Sequence, residues 1–166
     1  MRKFGKKITA ALIVGIMAIM MCVPAFAAVG EVSNHETSLY KDGLFDPAVP
    51  TENLSMGDGA VLDTTYEELE DGRYYVTVFF AENFKAMGIN SYLQNVQLDL
   101  DGDSSFEDEV LGQDYFLTSG SNNSDAVVGY SFYADSKPNP TTMYNAQFNI
   151  KASIMPINAQ GDLIIF

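Results

Sequence analysis

The chain has 166 residues and a formal net charge of −13, and it holds a single cysteine and a single histidine. Such an acidic surface repels nucleic acid and anionic lipid headgroups, which argues against partners of either kind. Nucleophilic catalysis is also disfavoured, because the serines lack the glycine-flanked turn of a hydrolase. The one cysteine lies in the N-terminal apolar segment, and the one histidine lies outside the predicted domain. The many carboxylates leave a two-carboxylate glycosidase open by count alone. Most of them lie in predicted turns, however, and we predict a protein that is not an enzyme.

The N-terminal residues have the three parts of a secretory signal peptide. Four basic side chains in residues 1–7 precede an apolar run over residues 8–23, and residues 25–27 read Ala-Phe-Ala, which suits signal peptidase. We therefore predict a signal peptide over residues 1–27, secretion to the exterior or the cell surface, and no stable membrane insertion after cleavage. The alternative is an uncleaved membrane anchor, for which the apolar run is short.

Cleavage after Ala27 would change the chemistry of the remaining chain. It removes four basic residues and no acidic one, so the formal charge of residues 28–166 is −17. It also removes Cys22, the only cysteine of the sequence. The exported domain would then contain no disulfide and would depend on its hydrophobic core alone.

Composition divides the exported chain into two parts. Residues 28–53 are rich in Gly, Pro, Asn, Asp, Ser and Thr without a sustained period, and we predict an irregular leader there. The lone histidine, His35, falls in this leader and is predicted to be a surface residue. Residues 54–166 show strand patterns separated by turn signals, and we predict one β-domain there.

Strand patterns recur throughout this domain, and no long amphipathic helix interrupts them. About seven to eight such strands predict an all-β protein, with an immunoglobulin-like antiparallel β-sandwich as the architecture and a closed barrel as the alternative. Residues 81–88 are mixed and predict one short helical turn, and residues 158–161 predict a turn. The predicted strands are residues 61–69, 73–80, 91–100, 109–117, 126–134, 141–155 and 162–166.

Two predicted strands divide clearly into two faces, since alternate residues of a strand point in opposite directions. In residues 73–80 the even positions are apolar and predict a core face, whereas Tyr75 and Phe79 lie on the other face and are predicted to pack at the rim. In residues 141–155 the even positions are apolar and predict a core face, and the odd positions are mostly polar and predict a solvent face.

An acidic stretch after residues 91–100 is the strongest polar signal. Carboxylates at alternate positions of a tight loop can direct their oxygens towards one hard cation, and calcium prefers about six to eight oxygen ligands. The stretch matches the calcium-loop pattern incompletely, because Ser104 replaces the expected glycine and Val110 the expected bidentate glutamate. A solvated hairpin loop is the alternative to a calcium site. The predicted calcium ligands are Asp99, Asp101, Asp103, Glu107 and Asp108.

Aromatic and methionine side chains near the strand ends form a second signal. Ser55 and Met56 precede the first predicted strand, Tyr144 begins the long strand, and Met155 ends it. Tyrosine suits half-buried strand positions, so these side chains can simply pack the core and its rim. Alternatively they line a pocket for a flat apolar ligand, since phenolate and thioether groups can ligate haem iron.

Four short segments carry a resemblance to a known family. They are Ser55-Met56 ahead of the first strand, the turn and strand at residues 71–78, residues 87–93, and the closing residues 162–166. On these segments the chain, over residues 54–166, resembles the NEAT domains that Gram-positive bacteria export. The resemblance implies an immunoglobulin-like β-sandwich that captures haem, a haemoprotein or another protein at the cell surface. The alternative function is that of a calcium-stabilised structural or adhesive β-module, or a carbohydrate-binding one, with no haem site.

The NEAT resemblance also implies where a haem would bind. In many members of the family the haem lies between a helical lip containing a serine and the hairpin of the last two strands, whose final strand carries a Tyr-x-x-x-Tyr ligand motif. Here residues 162–166 contain no tyrosine, and residues 144–148 have the related spacing with Phe148 in the second position. The family's usual iron ligand is therefore missing. The candidate haem-binding residues are Ser55, Met56, Tyr144 and Met155.

Overall fold

A computed structural model describes residues 32–100, 102, 105–106, 114–117, 126–152 and 155–166 of the chain. The predicted signal peptide at residues 1–27 lies outside these residues, as does the greater part of the predicted acidic loop. Within the described part of the chain, no helix is long and apolar enough to cross a membrane.

Regular structure in the described residues consists of nine strands and a three-residue 3-10 helix at Asp58–Ala60. Many strand positions hold aromatic or β-branched side chains, which pack well on a pleated, half-buried surface. The strands are β1 (Ser33–Lys41), β2 (Val61–Glu68), β3 (Tyr74–Phe80), β4 (Phe84–Ala86), β5 (Ile89–Asp99), β6 (Asp114–Leu117), β7 (Val127–Ala134), β8 (Met143–Ala152) and β9 (Met155–Ile165).

These nine strands of the described residues form one antiparallel sheet in the order β4-β5-β8-β9-β1-β2-β3-β7-β6. Strand β1 links two halves of the sheet, because its residues 33–36 pair with β2 and its residues 37–41 pair with β9. We call β2, β3, β6 and β7 the β3 half, and β4, β5, β8 and β9 the β8 half. The prediction of an all-β antiparallel protein is confirmed.

The sheet curls, so that its two halves contribute to one hydrophobic core. Phe80 of β3 meets Phe148 of β8 edge to face, with ring centroids 5.4 Å apart. Phe132 of β7 meets Tyr144 of β8 in the same manner at 5.1 Å. Burying an aromatic side chain of this size stabilises a fold by roughly 1.5–3 kcal/mol. These contacts therefore hold the two halves of the sheet together.

The predicted division into faces is confirmed for β8, whereas in β3 Tyr75 and Thr77 on the face opposite the predicted core face are buried as well. The even positions Ala146, Phe148 and Ile150 of β8 are buried, whereas its odd positions are exposed or half-buried. In β3, Val76 and Val78 are buried in the same core. The polar side chains of β8 therefore lie on the outer surface of the sheet.

Strand β1 differs from the irregular leader that composition predicts for residues 28–53. It lies in the middle of the sheet, and its pattern is obscured because polar side chains lie against the core. Thr37 is buried and donates a hydrogen bond to the Thr64 hydroxyl at 2.7 Å. His35 stacks on the Tyr66 ring at a centroid distance of 4.2 Å. The Thr37 hydroxyl is thus satisfied by β2, whereas His35 Nδ1 is hydrogen-bonded to the Phe166 carbonyl at 2.8 Å.

Two segments predicted as turns belong to strands. Residues 84–86 form β4 instead of a helical turn, and the chain reverses at Met87 and Gly88, which have φ of 53° and 80°. Two successive left-handed residues make the tight turn that matches the twist of a hairpin. Residues 158–161 lie within β9, where they pair with β8. Backbone pairing there overrides the turn preference of Asn and Gly.

Candidate binding face

The predicted haem residues lie at different places on the β8–β9 hairpin. Tyr144 is opposite Leu163, whereas Met155 is opposite Ala152 beside the connection between the two strands. Eight residues of extended strand separate Tyr144 from Ala152, which amounts to roughly 27 Å. The structure therefore does not bring Tyr144 and Met155 into one site.

Tyr144 is held in the hydrophobic core. Its side chain is 8 % exposed, and its ring packs against that of Phe132. Burial raises the pKa of the Tyr144 hydroxyl to about 12, because a phenolate is poorly solvated in an apolar environment. At neutral pH this side chain is a neutral phenol, whereas iron ligation by tyrosine uses the phenolate.

Ser55 and Met56 lie in the connection between β1 and β2. The Ser55 N–H donates a hydrogen bond to the Leu39 carbonyl at 2.8 Å, which fastens this connection to β1. The side chains of Met56 and Met155 are 46 % and 56 % exposed, so both reach solvent. Haem binding by these residues stays a prediction.

Of the predicted calcium ligands, Asp99 lies among the described residues. Its side chain is buried, and its Oδ1 accepts a hydrogen bond from the Gly102 N–H at 2.8 Å, which tightens the turn after β5. Among the described residues, no group of three or more His, Cys, Asp or Glu side chains could hold a metal ion. Calcium binding therefore stays a prediction. The other predicted ligands, which lie outside the described residues, are Asp101, Asp103, Glu107 and Asp108.

The outer surface of the β8 half carries rows of amide side chains that cross three neighbouring strands. In each row, one amide from β5, one from β8 and one from β9 lie opposite each other. The two rows are Gln97–Gln147–Gln160 and Asn95–Asn149–Asn158. We call these six side chains, together with Asn145 on β8, the amide face.

The period of the strands directs these amides away from the core. Their chain neighbours Val96, Leu98, Phe148 and Ala159 are buried, and successive side chains of a strand point to opposite faces. Opposite residues on adjacent strands have Cβ atoms about 5 Å apart, and rows two residues apart are separated by roughly 7 Å. The amide face is thus a regular grid of neutral groups, each with two N–H donors and one carbonyl acceptor.

An aromatic residue lies at each end of the amide face. Tyr92 of β5 is opposite Lys151 of β8, whose Nζ lies 5.7 Å from the centre of the Tyr92 ring. At the other end, Gln97 Nε2 donates a hydrogen bond to the carbonyl of Phe106, a half-buried residue. The amides therefore lie between Tyr92 and Phe106.

A cavity of about 260 Å³ opens at the Phe106 end of the amide face. Pockets for drug-sized ligands span about 300–1,000 Å³, so this cavity suits a single small ring. Its lining combines an aromatic ring, two amides, a carboxylate and two small residues. The lining residues are Asp42, Phe106, Asn145, Ala146, Gln160 and Gly161.

Carboxylates gather around this cavity. Asn145 in its wall lies between Asp99 of β5 and Asp162 of β9. Asp162 is 3 % exposed, and its Oδ2 accepts a hydrogen bond from the Gly43 N–H at 2.8 Å. Burial raises the pKa of Asp162, the Gly43 hydrogen bond lowers it, and the charge of Asp42 raises it again. The carboxylates of Asp42 and Asp162 are therefore close enough to repel each other.

On the outer surface of the β3 half, the aromatic side chains pack against one another. Tyr75 is 8 % exposed, and its ring lies 5.1 Å from that of Tyr133. The Arg73 guanidinium lies 4.9 Å from the centre of the Tyr133 ring and is paired with Asp71 at 2.7 Å. Tyr75 therefore packs at the rim of this half, as the sequence predicts, and does not face open solvent.

Sequence reasoning did not single out the amide face. Its signal on β8 is visible, because Asn145, Gln147 and Asn149 occupy the predicted solvent positions of one strand. The amides of β5 and β9 join them only through the register of the sheet, and residues 158–161 read as a turn in the sequence. The amide face therefore depends on strand pairing, which the pattern of a single strand does not reveal.

Comparisons of the chain with protein-family models, with curated proteins and with solved structures find no match.

Proposed function

We propose that this protein is an exported, non-enzymatic binding module whose ligand is a carbohydrate bound across the amide face. The observation that carries the proposal is the alignment of two amide rows across β5, β8 and β9 on one outer surface. Export is supported by the signal-peptide pattern of residues 1–27.

The chemistry of amides matches that of sugar hydroxyls. A hydroxyl both donates and accepts hydrogen bonds, and each Asn or Gln side chain offers donors and an acceptor in one plane. Neither partner is charged, so binding a polyol does not require the desolvation of an ion, which would be costly. A surface of neutral, bifunctional groups therefore favours a ligand rich in hydroxyl groups over a lipid or a nucleic acid.

The dimensions of the surface suit an oligosaccharide. From Asn145 to Asn149 the face extends roughly 14 Å along β8, and three strands give it a width of roughly 10 Å. Phe106 at one end offers an apolar ring against which the C–H groups of a sugar could pack. The side chains of Asn158 and Gln160 are exposed in the folded protein and are therefore accessible to a ligand.

We further propose that the curled sheet is an immunoglobulin-like β-sandwich of the NEAT type. Support comes from the sequence segments that resemble NEAT domains and from the way β1 pairs with both halves of the sheet. The resemblance also implies capture of haem or of a haemoprotein. The position of Tyr144 adds no support for this function, because its hydroxyl is buried and neutral.

Isothermal titration calorimetry of the purified protein against a panel of oligosaccharides tests the proposal. We expect saturable binding of at least one oligosaccharide, and weaker binding by the double variant Gln147→Ala/Asn149→Ala. One neutral hydrogen bond contributes about 0.5–1.5 kcal/mol, so loss of two amides should weaken binding about tenfold or more.

The matched control is Asn34→Ala. Asn34 is an exposed amide on β1, opposite Thr65 in the β3 half, and its loss should leave the affinity unchanged. If the double variant and Asn34→Ala bind the same oligosaccharide as tightly as the parent protein, the amide face is not the binding surface. If no oligosaccharide in the panel binds, the proposed function is wrong.

A further inference from the structure

The cavity at the Phe106 end of the amide face is lined by a carboxylate, whereas the amide rows contain only neutral side chains. Asp42 is the one ionisable side chain among the six lining residues. Asn145 and Gln160 supply amide donors and acceptors, and Phe106 is the one aromatic residue of the lining. A ligand group that fills the cavity therefore meets a negative charge beside neutral hydrogen-bonding groups.

The charge around the cavity has no matching cation in its lining. Asp99 and Asp162 flank Asn145 on the two neighbouring strands, so three carboxylates converge on this end. Lys41, which precedes Asp42 and lies opposite Gly161, is one cation against these three carboxylates. Lys151 lies six residues further along β8, roughly 20 Å from Asn145. The whole chain is also acidic, with a formal net charge of −13. The field at the cavity thus attracts a cation and repels an anion.

We infer that the cavity binds a hexosamine unit whose amino group is free and protonated, so that the glycan recognised by the amide face is a cationic, N-deacetylated amino-sugar polymer. The inference rests on the proposed function, since the amide face is taken as the sugar-binding surface. The ammonium group would donate to Asp42, the ring hydroxyls would meet Asn145 and Gln160, and the C–H face of the ring would pack against Phe106.

Charge complementarity selects this sugar class over its relatives. N-acetylation replaces the ammonium with a neutral and larger amide, which removes the ion pair with Asp42 and fills more of a cavity of about 260 Å³. A sugar acid would place its carboxylate against three carboxylates, which is repulsive. A hydrogen bond between charged partners is shorter and stronger than one between neutral partners.

The test compares glucosamine oligomers with N-acetylglucosamine oligomers of the same length, by calorimetry at low salt and at a mildly acidic pH where the amino groups are protonated. We expect the glucosamine oligomer to bind the purified protein about tenfold more tightly, the size expected of one charge-assisted hydrogen bond. Asp42→Asn should remove this preference while retaining the shape of the side chain. Added salt should reduce the preference, because screening weakens an exposed ion pair.

The control variant is Asp63→Asn, which removes the same charge from an exposed position on β2 in the β3 half. It should retain the preference for the glucosamine oligomer. Equal affinity for the two oligomers, or a preference that survives in Asp42→Asn as it does in Asp63→Asn, overturns the inference while leaving carbohydrate binding in place. Failure of the protein to bind either oligomer or any other oligosaccharide overturns the proposed function as well.

Discussion

Gln147 of β8 lies directly opposite Gln160 of β9, and both side chains leave the sheet on the surface away from the core. On the other side of β8, Gln97 of β5 lies opposite the same Gln147. A slip of one residue in either pairing would turn one strand's amides towards the core. The alignment is therefore maintained by the burial of the intervening apolar side chains, such as Phe148.

Replacement of Asp162 by Asn should stabilise the protein at neutral pH. Burial raises the pKa of Asp162 above its ordinary value of 3.8, so the folded state binds this proton more tightly than the unfolded state does. The stabilisation that protonation provides is complete below the ordinary pKa and is lost as pH rises through the raised one. An uncharged Asn oxygen can still accept the Gly43 hydrogen bond without the cost of a buried charge.

Thermal unfolding of the parent and Asp162→Asn proteins across pH measures this effect. The melting temperature of the variant should exceed that of the parent at pH 7, and the difference should shrink as pH falls towards and below the ordinary aspartate pKa. Asp63→Asn, which removes the same negative charge from an exposed position, is the control. If the variant is less stable than the parent at pH 7, the buried carboxylate does not destabilise the folded protein and this prediction is wrong.

Replacement of Gly161 by Ala should destabilise the fold strongly. A Cβ atom at this position would collide with the backbone carbonyl of Tyr40, which cannot move without displacing β1 from β9. Overpacking of this kind costs about 1–3 kcal/mol and more where backbone must shift. Urea unfolding should therefore show a loss of about 3 kcal/mol or more.

Gly59→Ala is the matched control for that experiment. The nearest atom to a Cβ at Gly59 is Phe84 Cδ2 at 3.8 Å, an ordinary contact, so the change should fall within about 0.5 kcal/mol. Equal stability of the Gly161 and Gly59 variants would show that β1 and β9 are not in the close contact described.

Replacement of Tyr144 by Phe should leave a haemin titration unchanged. The Tyr144 hydroxyl belongs to a buried side chain with a pKa of about 12, so it is neither accessible nor ionised at neutral pH. Absorbance spectra of the parent and Tyr144→Phe proteins with haemin should therefore coincide. A Soret band that the parent shows and the variant lacks would place Tyr144 at the iron.

Millimolar calcium should raise the melting temperature if the acidic loop after β5 is a calcium site, as the sequence predicts. A ligand that binds only the folded state at a hundred times its dissociation constant adds about 2.7 kcal/mol of stability. The measurement is thermal unfolding in calcium and in chelator. Identical melting temperatures in the two solutions would leave the loop as a solvated connection.

The fold can be predicted from the sequence more completely than the candidate site can. Period-two patterns identify β3 and β8 because Val76, Val78 and Phe148 alternate with outward side chains, and that information is local. The period-two pattern does not identify strand β1, because Thr37 is polar and yet buried. The Thr37 hydroxyl donates a hydrogen bond to Thr64 on β2. A polar side chain with a distant partner looks like a loop residue until the partner is known.

The amide face likewise depends on contacts between strands that are distant in the sequence. Each Asn or Gln on it is an ordinary surface residue in its own strand, and the grid exists only after β5, β8 and β9 are placed in register. The cavity likewise combines Asp42 from the chain after β1 with Phe106 from the chain after β5. The predicted haem-binding residues do not form one site, because Tyr144 and Met155 lie on adjacent strands but at opposite ends of the β8–β9 hairpin.

The most direct test follows the side-chain amide resonances of ¹⁵N-labelled protein during titration with an oligosaccharide that binds. We expect the resonances of Asn34 and Asn139 to stay in place and those of the amide face to shift, namely Asn95, Gln97, Asn145, Gln147, Asn149, Asn158 and Gln160. Shifts confined to amides outside β5, β8 and β9, or saturable binding with no shift on the amide face, would contradict it.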